Sequence, residues 1–388
     1  MARLEIRGVA KTYPGGIAAV RGVDLTVDDG ELFVVVGPSG SGKSTLLRLI
    51  AGLEDPDAGS LRLDGRRIDG LAPRDRDVAM VFQDQAPYPH LDVFENIAFG
   101  LRARRRPRAE VEGLVRATAS VLGLADCLRR PPGTLSGGQR RRVALGRAMV
   151  LRPKLFLLDE PFSGLDAPLR ASTRAELVAL RRELGATMVL VTHDQAEALA
   201  LGDRVAVLDR GRVAQVGPPM EIYRNPADRS VARFIGQPTL NLLPCLIARD
   251  GDDLRIRIVD RDELGPWTAH RATPWAALLF DRGIPRVDLG LRAEQVRVRP
   301  AAPFDPAALP ATGPAIVSRL EPMGHETLAS LAFGPHSLTA RLPATTALRP
   351  GDRVLVEIDF EGASWFDAGT GIRIDRRPGP EKTNPMSP

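Results

Sequence analysis

The chain has 388 residues, 44% of them hydrophobic and 26% charged, with a net charge of +5. Such a length and balance suit a cytosolic protein of more than one folded domain and exclude collagen-like and wholly disordered classes. Its two cysteines, Cys127 and Cys245, lack metal-like neighbours in sequence and read as free buried thiols of a reducing compartment.

The opening residues, Met1-Ala2-Arg3-Leu4-Glu5-Ile6-Arg7, alternate like a strand and lack the charged head and apolar core of a secretion signal. No uninterrupted apolar stretch approaches a membrane span. Residues 1–85 mix short alternating strands, such as Leu4/Ile6 and Leu61/Leu63, with the apolar run Leu32-Phe33-Val34-Val35-Val36, the pattern of a buried parallel strand. Directly after that run stands Gly37-Pro38-Ser39-Gly40-Ser41-Gly42-Lys43-Ser44-Thr45. Glycines at 37, 40 and 42 let the backbone turn its N–H groups toward phosphates, and a helix starting near Lys43 adds the positive end of its dipole. Lys43 then serves the β- and γ-phosphates of a nucleotide, and Ser44 offers a hydroxyl to Mg²⁺. Lysine occurs only at positions 11, 43, 154 and 382, and one of the four stands where a compact charge suits a phosphate better than a guanidinium fork.

Residues 86–150 read as mainly helical. They contain the densest basic run, Arg102-Ala103-Arg104-Arg105-Arg106-Pro107-Arg108, which has no interleaved aromatics for base stacking. No nucleic-acid partner is therefore expected, and the run reads as a solvated linker open to anionic lipid headgroups. Near the end of this region Leu135-Ser136-Gly137-Gly138-Gln139 opens another helix.

Residues 151–215 return to a strand–helix–strand pattern. The run Leu155-Phe156-Leu157-Leu158 ends in Asp159-Glu160, two carboxylates at the strand tip, where ligands bind in a parallel α/β sheet. Asp159 suits the Mg²⁺ shell and Glu160 a general base contributing about 10²–10⁴-fold. Taken singly, a strand followed by an acidic helix cap gives the same pattern. From about residue 237 the chain changes to short alternating segments, Leu254/Ile256/Ile258, Val296/Val298, Val354/Val356/Ile358 and Ile372/Ile374, which predict a small β-barrel. The tail 378–388 is expected to be disordered.

The phosphate loop and the Ser136 turn together resemble the ATP-binding subunits of ABC transporters. The resemblance implies an α/β P-loop NTPase core in residues 1–236, with a helical subdomain at about 86–150, followed by an OB-like (TOBE) regulatory β-barrel in 237–377. It implies that Ser136, Gly137, Gly138 and Gln139 close over ATP held by a second copy, so that a homodimer sandwiches two ATP molecules. It also implies that Tyr13, before Pro14-Gly15-Gly16, stacks on adenine, and that Gln83 couples Mg²⁺ and the attacking water to transmembrane permease subunits. Asp166 then communicates between the two sites, and His193, in its Thr-His-Asp setting after Met188-Val189-Leu190-Val191-Thr192, contacts the γ-phosphate. Read without the resemblance, Tyr13 could be an ordinary strand aromatic, Gln83 a solvated glutamine and His193 a structural histidine.

The likeness narrows further along. Glu221-Ile222-Tyr223-Arg224-Asn225-Pro226, Val231-Ala232-Arg233-Phe234-Ile235-Gly236 and Asn241-Leu242-Leu243 resemble the junction of ATPases serving importers of sugars and related solutes. Gly290-Leu291-Arg292-Ala293-Glu294-Gln295 and Leu320-Glu321-Pro322-Met323-Gly324-His325-Glu326-Thr327 resemble pieces of that subfamily's last domain. Departures are Asp84-Gln85-Ala86-Pro87-Tyr88-Pro89-His90 at the expected membrane-partner contact, Arg140-Arg141-Arg142 after the Ser136 turn, and Ala293 and Gln295 for the commoner Pro and His. Tyr88 and Leu91 are the candidate anchors for the membrane partner. The resemblance implies an energy-coupling ATPase at the cytoplasmic face of the membrane, served indirectly by an extracytoplasmic solute-binding protein. A polyamine or ferric-ion importer ATPase stays open. So does a soluble ABC-type ATPase acting on nucleic acid or ribosomes, although no second cassette, coiled-coil insertion or zinc cysteines are visible.

Overall fold

A computed structural model describes residues 2–82, 87–260, 267–300 and 312–374. Gln83 to Ala86 and the tail 378–388 lie outside the described residues. The chain divides into two compact units, Met1–Ile222 and Tyr223–Pro388.

The first unit contains two sheets. Strands β1 (Leu4–Tyr13), β2 (Ile17–Val27), β4 (Ala58–Leu63) and β5 (Arg66–Arg67) form an antiparallel sheet in the order β2-β1-β4-β5. The other sheet has the order β10-β9-β3-β8-β7-β6, from β3 (Leu32–Val36), β6 (Val78–Val81), β7 (Leu155–Asp159), β8 (Thr187–Thr192), β9 (Arg204–Asp209) and β10 (Arg212–Gly217). All its pairings are parallel except β9 with β10. β3, β7 and β8 are buried at every residue, which is why they carry unbroken apolar runs instead of alternation. Helix α1 (Lys43–Ala51) shares one core with both sheets, burying Leu46, Leu47, Leu49 and Ile50 beside Leu4 and Leu61 on one side and Val35, Leu157 and Val189 on the other.

Arg76, 1% exposed, closes the far end of α1. Its guanidinium donates to the carbonyls of Leu49 (2.7 Å), Ile50 (3.2 Å), Leu71 (2.8 Å) and Asp69 (3.1 Å). Carbonyls left over at a helix C-terminus need such partners, and a cation there complements the dipole. The next residue of the chain after α1, Gly52, has φ 77°, and a Cβ there would stand 2.4 Å from Arg76 Nε.

Between β6 and β7 comes a helical region: α2 (Val93–Ala103), α3 (Arg108–Val121) and α4 (Gly137–Met149). In α3 the buried residues Val111, Val115 and Ala119 recur every fourth position, one stripe of an amphipathic helix. Asn96 of α2 is fully buried; its side chain accepts from Tyr88 N–H at 2.7 Å and donates to the carbonyls of Tyr88, Leu91 and Asp92. This ties down the segment from Tyr88 to Asp92. Helices α5 (Ala167–Leu184) and α6 (Gln195–Leu201) follow β7 and β8.

Two short helices, α7 (Pro219–Arg224) and α8 (Arg229–Phe234), span the junction. Arg292 donates to the carbonyls of Tyr223 at 3.1 Å and Ala232 at 3.0 Å, and to that of Ile235, so the segment leading to Gly236 is held within the C-terminal unit. That unit contains β11 (Asn241–Asp250), β12 (Asp253–Ile258), β13 (Trp267–His270), α9 (Pro274–Arg282), β14 (Arg286–Leu291), β15 (Val296–Pro300), β16 (Thr312–Pro322), β17 (Glu326–Phe333), β18 (His336–Pro343), β19 (Arg353–Ile358) and β20 (Ser364–Asp367). They form two five-stranded antiparallel sheets, β13-β12-β11-β14-β20 and β15-β19-β16-β17-β18. The end strands β15 and β18 of the second sheet approach each other, so it curls toward closure. Both sheets bury alternate residues in one core, with Leu254, Ile256 and Ile258 from one and Val354, Val356 and Ile358 from the other.

Candidate functional site

The phosphate loop joins β3 to α1. Gly42 has φ 100°, a conformation open to glycine, and a Cβ there would fall 2.2 Å from the Ala19 carbonyl oxygen. At Gly37 the constraint is space: a Cβ would stand 2.1 Å from Leu208 O. Lys43 is buried and folds back over the loop, donating to the carbonyls of Gly37 and Pro38 at 2.8 Å each. Burial pulls its ammonium below the usual lysine range, and the charges of Glu160 and Asp159 work against that shift.

Strand order in the sheet brings the other groups to the loop. β7 and β8 are parallel neighbours, and β8 also pairs with β3, so the ends of all three strands lie side by side. Ser44 Oγ donates to Asp159 Oδ1 at 3.3 Å. Burial pushes the Asp159 carboxyl up, the Ser44 bond lowers it, and neighbouring Glu160 raises it again. Glu160 sits at φ 45°, in the left-handed region that a β-carbon disfavours, with its N–H bonded to Val191 O at 2.9 Å. Strain of this kind costs on the order of 1–3 kcal/mol and collects at functional sites. His193 Nδ1 stands 3.0 Å from Glu160 Oε1. Tyr13 ends β1 with its hydroxyl 3.5 Å from Thr45 Oγ1, within the loop's immediate surroundings.

Ser41 Oγ is buried without a hydrogen-bond partner. An orphaned hydroxyl in the loop that joins β3 to α1 fits a site built for phosphate oxygens. Ser44 and Asp159 supply hard oxygen donors as Mg²⁺ prefers, and among the described residues no group of three or more His, Cys, Asp or Glu gathers to hold a metal alone. Mg²⁺ ordinarily takes its remaining ligands from substrate phosphates and water, so the residues fit that ion.

Other expected residues lie apart from this cluster. Ser136 and Gly137 are exposed at the start of α4, where Ser136 forms a reciprocal capping box: its Oγ accepts from Gln139 N–H at 3.2 Å, and Gln139 Oε1 accepts from Ser136 N–H at 3.0 Å. Gly138 follows in the first turn of α4, and no hydrogen bond among the described residues joins this cap to residues 37–45. Asp166 is exposed just before α5, its carbonyl accepting from Arg170 N–H at 2.9 Å. Tyr88 is half-buried, with the Arg147 guanidinium 4.1 Å above its ring and the Phe99 ring at 4.8 Å.

Sequence reasoning missed the polar residues behind His193, namely the buried Thr192 and Glu197 and the half-buried Arg174. Their only trace in the sequence is Asp194 followed three positions later by Glu197, a helix-start pattern that predicts a cap and not the side chain's destination.

A phosphate cradle, two carboxylates and a histidine at the ends of neighbouring parallel strands define a nucleoside triphosphatase. The family described as ABC transporter matches residues 20–163, and the TOBE domain matches 289–366. The chain is 42% identical over 385 residues to the sn-glycerol-3-phosphate import ATP-binding protein UgpC of Cupriavidus pinatubonensis, covering 97% of this chain and 100% of that one. It is 45% identical to the protein of the same name in Chromohalobacter salexigens, over 96% of both chains. Among solved structures, CbiO1 from Clostridium perfringens, part of an ABC transporter complex, is 30% identical with a TM-score of 0.54, covering 59% of this chain and 92% of that chain. A dimeric ATP-binding cassette in a post-hydrolysis state, bound to ADP and phosphate, is 31% identical with a TM-score of 0.50, covering 56% and 98%. The chain belongs to the ABC transporter ATP-binding proteins, and its chemistry is ATP hydrolysis.

Proposed function

We propose that this chain is the energy-coupling subunit of an importer for sn-glycerol 3-phosphate or a related sugar or polyol, working at the cytoplasmic face of the membrane on permease subunits. The reading is supported by full-length similarity to proteins named for that import. Its chemistry rests on one observation, the Glu160 carboxylate held 3.0 Å from His193 beside Lys43 and Asp159. Glu160 accepts a proton from the water whose oxygen bonds the γ-phosphorus as the bond to the β-phosphate oxygen breaks. His193 orients Glu160 and meets the γ-phosphate, while Lys43 and the loop N–H groups offset charge that develops on the phosphate oxygens. Ser44 and Asp159 would hold Mg²⁺, which when bound supplies further charge neutralisation; Gln83 is assigned there from the resemblance alone.

A dimer completes the site in this reading. The Ser136 turn is solvent-exposed with its polar atoms turned into a rigid cap, which leaves Gly137 and Gly138 free for a partner's nucleotide, and Asp166 is exposed as well. The neighbouring solved cassette is itself dimeric. The C-terminal unit, with its TOBE match, is assigned a regulatory role.

The test is reconstitution with the permease subunits and solute-binding protein of such an importer. ATP hydrolysis should rise when the binding protein is loaded with sn-glycerol 3-phosphate; stimulation by maltose, a polyamine or ferric ion instead would reassign the solute.

A further inference from the structure

His193 projects from the turn between β8 and α6, and the described hydrogen bonds of that turn run through its two neighbours. Asp194 caps α6, accepting from Ala196 N–H at 2.8 Å and Glu197 N–H at 3.2 Å. Its own N–H donates to Thr192 Oγ1 at 3.0 Å. The Thr192 hydroxyl in turn donates to Glu197 Oε2 at 2.6 Å. Thr192 is 2% exposed and Glu197 4%, so the link from hydroxyl to carboxylate lies inside the protein.

A carboxylate so deep in a fold demands a reason. Its α6 neighbours on the buried side, Ala198 and Leu201, are apolar, and an apolar residue at 197 would have served packing at lower desolvation cost. Instead the structure surrounds Glu197 with cations. Arg174 Nη2 of α5 stands 3.7 Å from Glu197 Oε1, while Arg170 of α5 and Arg141 of α4 act on it at longer range and Asp194 opposes them. At 3.7 Å the Arg174–Glu197 contact is one of charge with charge rather than a hydrogen bond, and Arg174 Nε has no partner among the described groups. Among the described residues these are the charged groups of α4, α5 and α6 that face the carboxylate.

We propose that Glu197 is a positioning residue for hydrolysis, fixing through the Thr192 hydroxyl the turn that presents His193 to Glu160. The inference rests on His193 and Glu160 acting in hydrolysis. An angular error in the turn moves the imidazole directly, because Thr192 and Asp194 flank it; displacement of a catalytic group by about 1 Å can lower rates about 10²-fold.

The experiment measures ATP hydrolysis by the full-length chain through radiolabelled phosphate release, which reads residual rates over several decades. Thr192→Val and Glu197→Ala should lower turnover at saturating ATP about 10- to 100-fold and change KM less than about threefold, because the loop at 37–45 is untouched. Thr192→Ser and Glu197→Gln keep a hydroxyl and an acceptor and should stay within about threefold of the parent. In a His193→Ala chain, Thr192→Val and Glu197→Ala should cause no further loss, since the group they position is gone. Equal losses in both backgrounds would show a general structural role and overturn the proposal, as would full turnover in Thr192→Val. Should Glu197→Ala fail to fold, Thr192→Val, matched in volume, carries the test alone. Wild-type turnover in His193→Ala itself is a separate result: it sinks the role of His193 and this inference with it.

Discussion

His193 Nδ1 lies 3.0 Å from Glu160 Oε1 because their strands, β7 and β8, are adjacent and parallel, so that residues distant in sequence emerge at one edge. Glu160 holds its place at φ 45°, anchored through its N–H to Val191 O. Glu160 thus leans on the strand that leads to His193.

Replacing Glu160 by glutamine leaves shape and volume almost unchanged but removes the base. ATP binding should persist while turnover falls by about 10²-fold or more. Single-turnover phosphate release checks the rate, and size-exclusion chromatography with ATP should show a trapped dimer. Turnover within severalfold of the parent would remove Glu160 from this role.

If Ser136 serves a partner's nucleotide, Lys43→Ala chains paired with Ser136→Arg chains should give heterodimers with one doubly damaged and one intact site. Activity of isolated heterodimers near half that of the parent supports the composite site. Two equally damaged sites would assign Ser136 to its own chain.

Asp159 gives a pH prediction. Its carboxyl is pushed up by burial, so between the ordinary aspartate pKa and its raised value the folded state binds more protons than the unfolded one, and stability falls as pH rises through that window. Asp159→Asn cannot ionise. In the absence of nucleotide its melting temperature should exceed the parent's above that window, and the advantage should shrink as pH falls toward about 4. A constant difference from pH 4 to 8 would contradict the assignment.

Arg76→Met keeps much of the side-chain volume but leaves the carbonyls of Leu49 and Ile50 without their donor. Loss of a buried, charged hydrogen-bonding group of this kind should lower unfolding free energy by about 3 kcal/mol, read from urea denaturation of the full chain. ATP hydrolysis at low temperature should change much less, since Arg76 closes the end of α1 opposite the loop.

Tyr88 was expected to anchor the membrane partner, and its ring is packed between Arg147 and Phe99 within the helical region. Tyr88→Ala should therefore lower stability by about 1–2 kcal/mol through the lost stacking and cation–π contacts. Co-purification with the permease subunits measures the partner role separately: a variant that melts earlier yet binds the permease normally would confine Tyr88 to packing.

The nucleotide chemistry was legible from the chain alone because it depends on local order. An apolar strand, glycines at 37, 40 and 42 and Lys43 at the start of a helix specify a phosphate cradle whatever surrounds them, and Leu155 to Glu160 repeats the logic at a second strand tip. The short alternating strands of the C-terminal unit were legible for the same reason, since a period of two needs only a buried and an exposed face. Tertiary structure decided the rest. Which strands become neighbours determines that His193 meets Glu160, and no spacing in sequence encodes that distance. The buried Glu197 reads in sequence as an ordinary helix-start acid; only packing of α6 against β3 and β8 sent it inward to Thr192. Burial likewise turned Arg76 from one arginine among many into the cap of α1, because a buried charge takes its meaning from the groups that fold around it.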